Sequence, residues 1–164
     1  MIVVVMGVCG SGKTSVGRRI AERMAWAFIE GDDLHPEANR RKMAAGTPLT
    51  DEDRWPWLDR IVGEMRRAHG ERRSVVVACS ALRRVYRDRL RRGGADVRFL
   101  HLTGAPALLR VRMERRDGHF MPAGLLASQL ATLEPAGPAE TLHDLDVSRD
   151  VETLVRTALE LLAT

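Results

Sequence analysis

The eight residues Gly7-Val8-Cys9-Gly10-Ser11-Gly12-Lys13-Thr14 follow directly on the apolar run Ile2 to Met6 and fit the spacing G-x-x-x-x-G-K-[ST]. Few local patterns constrain a fold so tightly. A buried strand has to end there, the chain has to curl through backbone that glycine permits, and a helix has to begin, because apolar residues then recur at Val16, Ile20 and Met24. Gly7, Gly10 and Gly12, with Ser11 between them, let successive N–H groups point into one cavity, and the helix adds its positive N-terminal end. Such a loop predicts binding of a nucleoside triphosphate, with Lys13 on the β- and γ-phosphates and Thr14 on a Mg²⁺ ion.

Lysine usage singles out the same position. Of the 26 basic residues only Lys13 and Lys42 are lysines. In a chain otherwise biased to arginine, a retained lysine marks a place where a compact ammonium cannot be exchanged for a planar guanidinium.

The rest of the composition narrows the setting. A chain of 164 residues is long enough for one domain with its own core. Its two cysteines, Cys9 and Cys79, form neither a disulfide framework nor a metal cluster pattern, which points to a reducing cytoplasm. No apolar stretch approaches the ~20 residues of a membrane span, and no leader pattern opens the chain. The net charge of +4 is spread over arginines mixed with 22 acids, without the interleaved aromatics of a nucleic-acid surface, so polyanionic small substrates explain it equally well. No Asn-Lys-x-Asp segment is present to read guanine.

Apolar runs at Ile2 to Met6, Ala27 to Ile29, Ser74 to Cys79, Val97 to Leu102 and Leu142 to Val147 predict five strands. Helical patterns lie between and after them at Thr14 to Ala25, Pro36 to Ala45, Glu52 to Ala68, Arg83 to Arg92, Pro106 to Arg116, Pro122 to Leu133 and Asp150 to Leu162. The alternation predicts an α/β fold in three layers, a five-stranded parallel sheet with helices on both faces. Two long connections depart from it: residues 32–70 read as a substrate-binding helical insertion, and about 112–138 as a lid. The expected organisation is a single domain over 1–164.

The second strand runs out into Glu30-Gly31-Asp32-Asp33-Leu34-His35-Pro36, which places three carboxylates and an imidazole at the carboxyl edge of the sheet beside the phosphate loop. Phosphoryl transfer requires one carboxylate to orient or deprotonate the attacking oxygen; Asp32 is the candidate, with Glu30 or Asp33 near the water shell of the metal. Thr50 or Asp51, followed by acids, signals a helix start, yet Arg54 one turn inside opposes the helix dipole and is free to hold a substrate carboxylate, alone or with Lys42. Trp55 and Trp57 read as core. Arg112 and Arg116, four apart on one helix face, are placed to close over the triphosphate, with Gly118 as a hinge. Ser80 and Arg83 end the third strand at the ligand edge, whereas Arg84, Arg87 and Arg91 read as a solvated stripe.

Together these segments resemble the small gluconate kinases, P-loop kinases related to shikimate and adenylate kinases. The resemblance is carried, across nearly the whole chain, by Met6 to Thr14; by Gly31-Asp32-Asp33-Leu34-His35-Pro36 with Asn39, Lys42 and Met43; by Pro48-Leu49 with Asp51, Asp53, Arg54 and Pro56-Trp57-Leu58; by Cys79-Ser80-Ala81-Leu82 with Tyr86-Arg87-Asp88; and by Gly118-His119-Phe120 with Gln129 and Leu133-Glu134. It departs from the family pattern at Arg83-Arg84, usually two lysines, at Glu30, usually aspartate, and at Met121, where a second aromatic can follow. The resemblance implies ATP-dependent phosphorylation of D-gluconate at its 6-hydroxyl, Mg²⁺ as cofactor and a homodimer, with no nucleic-acid or membrane partner. It implies acceptor contacts from Asp32, His35, Lys42, Arg54, Ser80, Arg83 and His119, metal contacts from Thr14 and Glu30, and charge neutralisation by Lys13 and Arg116. A kinase of another small hydroxy acid, such as shikimate, is the alternative.

Overall fold

The computed structural model describes residues 1–115 and 123–163. Its five strands are β1 (Ile2–Met6), β2 (Ala27–Glu30), β3 (Val75–Ala78), β4 (Val97–Thr103) and β5 (His143–Asp146), all parallel, in the order β2-β3-β1-β4-β5. The helices are α1 (Lys13–Met24), α2 (Glu37–Ala44), α3 (Asp51–Gly70), α4 (Arg84–Arg91), α5 (Pro106–Glu114), α6 (Ala123–Thr132) and α7 (Val151–Leu162). Each lies within two residues of the segment expected from periodicity. One short 3₁₀ turn, Gly31–Leu34, lies between β2 and α2 without a counterpart among the expected elements.

Strand β1 is central and wholly buried, which is why it reads as an unbroken apolar run. Its side chains alternate between two cores. Val3 and Val5 join Val16 and Ile20 of α1 and Val155 and Ala158 of α7; Ile2, Val4 and Met6 join Leu58, Ile61 and Met65 of α3 with Tyr86 and Leu90 of α4. The three layers expected from the sequence follow directly. Because β3 lies between β1 and β2, the loop after β3 sits between the phosphate loop and the acidic end of β2. Gly31 allows the last step: a Cβ there would collide with the carbonyl oxygen of Ala78, so only glycine lets the turn after β2 fold down on the end of β3.

The arginine stripe on α4 is not solvated as expected. Arg87 is fully buried and forms a bidentate pair with Glu140, Nε to Oε1 at 2.7 Å and Nη2 to Oε2 at 2.8 Å, the carboxylate side chain being only 3% exposed. Its remaining N–H groups donate to the carbonyls of Ala81, Leu82, Glu134 and Pro135. The segment after α6 folds over α4 and buries the middle of the stripe, while Arg84 stays half-exposed. Arg87 holds the Glu140 carboxyl down to about 2. Replacing Arg87 by Met should destabilise the fold by about 3 kcal/mol, because Glu140 would keep only the partly exposed Arg91, at 2.9 Å, as a cationic partner and the carbonyls of Ala81, Leu82, Glu134 and Pro135 would lose their donor. Urea unfolding checks this; a loss under ~1 kcal/mol would mean that the pair contributes little.

Candidate active site

Helix α1 begins at Lys13 with no side-chain cap and no acid in its first turn, so its first N–H groups have no partner within the helix. Its N-cap, Gly12, has φ 95°, and Gly7 and Gly10 also have positive φ. At Gly7 the need is double, since a Cβ would lie 2.8 Å from the carbonyl oxygen of Leu102 and 2.8 Å from Ser11 Oγ. Ser11 Oγ is also the one buried side-chain polar atom among the described residues without a hydrogen-bond partner. A curled glycine-rich loop, an unmatched hydroxyl and an uncapped helix N-terminus form the donor set that a polyphosphate needs.

Lys13 reaches back across this loop, its Nζ donating to the carbonyl of Val8 at 3.0 Å. Thr14 Oγ1 donates to Glu30 Oε2 at 2.7 Å, joining the loop to the end of β2. These two oxygen-bearing side chains are of the kind that would hold a divalent ion beside the phosphates. Gln129 on α6 accepts the Cys9 N–H at 2.7 Å, so the helix within the second long connection touches the loop directly.

A cavity of about 790 Å³ opens from this cradle toward the first long connection. Gly10, Gly12, Lys13, Thr14, Glu30, Asp32, His35, Arg54 and Ser80 line it, so nine of the residues expected from the sequence meet in one space. His35 is buried and stacks on Trp57 at 4.1 Å between ring centroids, and Trp57 in turn donates its indole N–H to the carbonyl of Gly31 at 2.7 Å. Burial brings the His35 imidazole down to about 4 despite the neighbouring Asp32 carboxylate, with Arg40 and Arg54 adding to the lowering. Trp57 is thus core, as its sequence context indicates, and serves as the floor under the imidazole.

Arg54 is delivered by the start of α3. Thr50 caps that helix by accepting from the Asp53 N–H, and Asp53 returns a bond from the Thr50 N–H, a capping box. One residue on, the Arg54 guanidinium donates to the carbonyl of Leu49 at 2.5 Å and to the Tyr86 hydroxyl at 3.2 Å, and lies over the Tyr86 ring. Tyr86 itself donates to Asp51.

Two of the expected acceptor-binding cations do not reach the cavity lining. Lys42 is paired with Asp53 at 2.8 Å and, as the first cause, holds that carboxyl down to about 2. Arg83 bridges Asp51 at 2.5 Å and Glu134 at 3.2 Å, tying the start of α3 to the chain after α6. Arg112 donates to the carbonyl of Val147 beyond β5 and is absent from the lining. Arg116 and His119 lie outside the described residues. In their place the cavity contains Arg40, whose guanidinium donates to the carbonyls of Asp33 and His35, and Gln129. Arg40 stands in the sequence beside Arg41 and Lys42 with nothing local to distinguish it.

The family described as an AAA domain matches residues 2–136. A gluconokinase of Gluconobacter oxydans is 49% identical over 142 residues, which cover 84% of this chain and 78% of that protein. Two crystal structures share both fold and sequence. One, a sugar kinase from Janibacter sp. HTCC2649 in unliganded form, has a TM-score of 0.94 and 47% identity, over 99% of this chain and 94% of that one. The other, a gluconokinase from Sinorhizobium meliloti 1021, has a TM-score of 0.89 and 49% identity, over 98% and 90% of the two chains. A shikimate kinase from Acinetobacter baumannii, 16% identical with a TM-score of 0.58, shares the fold alone. Identity near one half over almost the full length goes far beyond a common fold, and the chain belongs to the gluconokinase family.

Proposed function

We propose that this protein transfers the γ-phosphoryl group of ATP to the 6-hydroxyl of D-gluconate, giving 6-phospho-D-gluconate and ADP. The observation that carries the reading is the meeting of Asp32, His35 and Arg54 with Lys13 and Thr14 around one cavity. ATP with Mg²⁺ supplies the activated phosphoryl group. The loop amides, Ser11 and Lys13 bind its phosphates; Thr14 and Glu30 would hold the ion, which would offset the phosphate charge. Asp32 accepts the hydrogen bond of the attacking hydroxyl and takes its proton as the new P–O bond forms. Ser80, between cradle and acceptor, donates to or accepts from the sugar chain. Arg116 and His119 complete the lid and the acceptor contacts on the strength of the family resemblance.

The acceptor end suits a sugar acid. A carboxylate with a row of hydroxyls calls for a cation and several fixed polar groups, and the cavity offers Arg54, Arg40, Asp32, His35 and Ser80. Arg54 holds the carboxylate, since its guanidinium bonds the Leu49 carbonyl and the Tyr86 hydroxyl through Nη1 alone. Replacing Arg54 by Gln should raise KM for gluconate by about tenfold or more with KM for ATP within about twofold; equal effects on both constants would make Arg54 structural.

The same reading includes a homodimer and a cytoplasmic setting, both supported by the resemblance; among the described residues no helix is long and apolar enough to cross a membrane. ADP release measured with gluconate, shikimate, ribose and water as acceptors tests the substrate. Release should depend on gluconate. Faster release with shikimate would transfer the assignment to another hydroxy-acid kinase.

A further inference from the structure

The imidazole at the acceptor end has two ring nitrogens in different surroundings. His35 Nδ1 lies 3.2 Å from Asn39 Nδ2, one helical turn further along the chain, and both side chains are buried. The same Asn39 Nδ2 donates to the backbone carbonyl of Asp53 at 2.8 Å. That second bond decides the orientation of the amide. A carbonyl oxygen only accepts, so the NH₂ end of Asn39 must face it; the reversed amide would set oxygen against oxygen. The NH₂ group therefore also faces His35, and a nitrogen that receives a hydrogen bond from an amide carries no proton. The proton of the neutral ring is then on Nε2. Among the described residues no protein group is hydrogen-bonded to Nε2, and it is not among the sealed, unpartnered buried atoms, so it faces the cavity that His35 lines.

We propose that Asn39 is a positioning residue that locks His35 as the Nε2–H tautomer, so that the ring presents a single N–H donor to an oxygen of the acceptor's polyol chain. The identity of that oxygen rests on the sugar-acid reading above; the tautomer does not. Asp32, the carboxylate neighbour on the same turn, supplies the acceptor, so the two side chains divide the work. Asp32 takes the hydrogen of a hydroxyl, and His35 gives one to a lone pair. Trp57 stacked beneath the ring and Arg40 bonded to the His35 carbonyl fix its plane and backbone. The ring stays uncharged at neutral pH because burial, aided by Arg40 and Arg54, outweighs the pull of Asp32. A donor at this point discriminates by lone pair: an acceptor with a carbonyl at the contacted carbon keeps the bond, and a deoxy acceptor loses it.

Nitrogen NMR of the full-length protein labelled at histidine tests the tautomer without any substrate, the His35 signals being assigned by their loss in H35Q. Between pH 6 and 8, Nδ1 should resonate as an unprotonated, pyridine-like nitrogen and Nε2 as a protonated one. Asn39→Asp replaces the donor by a pure acceptor; the proton should move to Nδ1, and KM for the acceptor should rise about tenfold with kcat and KM for ATP changed less than about threefold. Asn39→Ala, which removes the amide without reversing it, should give a mixture of tautomers and a smaller rise. A wild-type spectrum with the proton on Nδ1, or on both nitrogens at pH 7, would overturn the proposal whether or not the variants fold. So would an Asn39→Asp protein with its proton moved and its KM unchanged. If the ADP-release panel returns a different acceptor, the KM series is run with that acceptor; the substrate assignment then fails while the tautomer result stands.

Discussion

Asp32→Asn should lower kcat by about 10³-fold while KM for ATP stays within about twofold. The substitution keeps the size of the side chain and its place on the turn after β2, and removes only the ability to take a proton from the attacking hydroxyl. Because the proposed ATP cradle comprises the loop after β1 and the start of α1, and not the turn after β2, affinity for ATP has no reason to change. Steady-state kinetics with ATP and gluconate varied separately measure both effects. Near-normal turnover in the variant would show that Asp32 neither orients nor deprotonates the acceptor, and attention would pass to Asp33, which lines the same cavity.

The second large effect is expected at Lys13. Truncation to Ala should cost about 10³-fold in kcat/KM, since a cation fixed on the transferring group acts where negative charge spreads in the transition state. Lys13→Arg should recover little of this. The ammonium fits back over the loop to the Val8 carbonyl at 3.0 Å, a path for a compact point charge and not for a planar fork. That expectation explains why a chain so rich in arginine keeps a lysine here. Full activity in the Arg variant would sink this account of lysine retention, and unchanged kinetics in the Ala variant would remove Lys13 from the phosphate site.

The phosphate cradle was the most legible part of the site because its geometry is local. Strand, glycine positions and helix start lie within fourteen residues, and each glycine announces a backbone need that the structure contains. The alternation of strands and helices was legible for a similar reason, as period and punctuation are properties of short windows. What escaped depends on partners distant in sequence. Nothing in α4 distinguishes Arg87 from Arg84, and the difference is made by Glu140, 53 residues away. Lys42 looks like a free cation until Asp53, serving the capping box of the next helix, takes it. Gln129 meets the Cys9 N–H across 120 residues. The tautomer of His35 depends on an amide that is itself oriented by the Asp53 carbonyl, a chain of two contacts that no spacing rule encodes.

These contacts also show how the acceptor end is stiffened. Arg83 links the first turn of α3 to Glu134, and Glu134 accepts from the backbone N–H of Arg84 while its own N–H donates to the carbonyl of Leu82. The loop bearing Ser80, the helix bearing Arg54 and the chain leaving α6 are therefore tied to one another by charged bonds. A transfer reaction gains from such stiffness, because its rate depends on holding the acceptor oxygen in line with the phosphoryl group.

Phosphorus NMR of the reaction mixture shows directly whether the phosphoryl group reaches the 6-hydroxyl of gluconate. With ATP, Mg²⁺ and D-gluconate, one new phosphomonoester signal is expected, split by the two protons of a primary carbon and matching authentic 6-phospho-D-gluconate, in step with ADP. A phosphoester on a secondary carbon, or inorganic phosphate as the main product, would contradict transfer to the 6-hydroxyl.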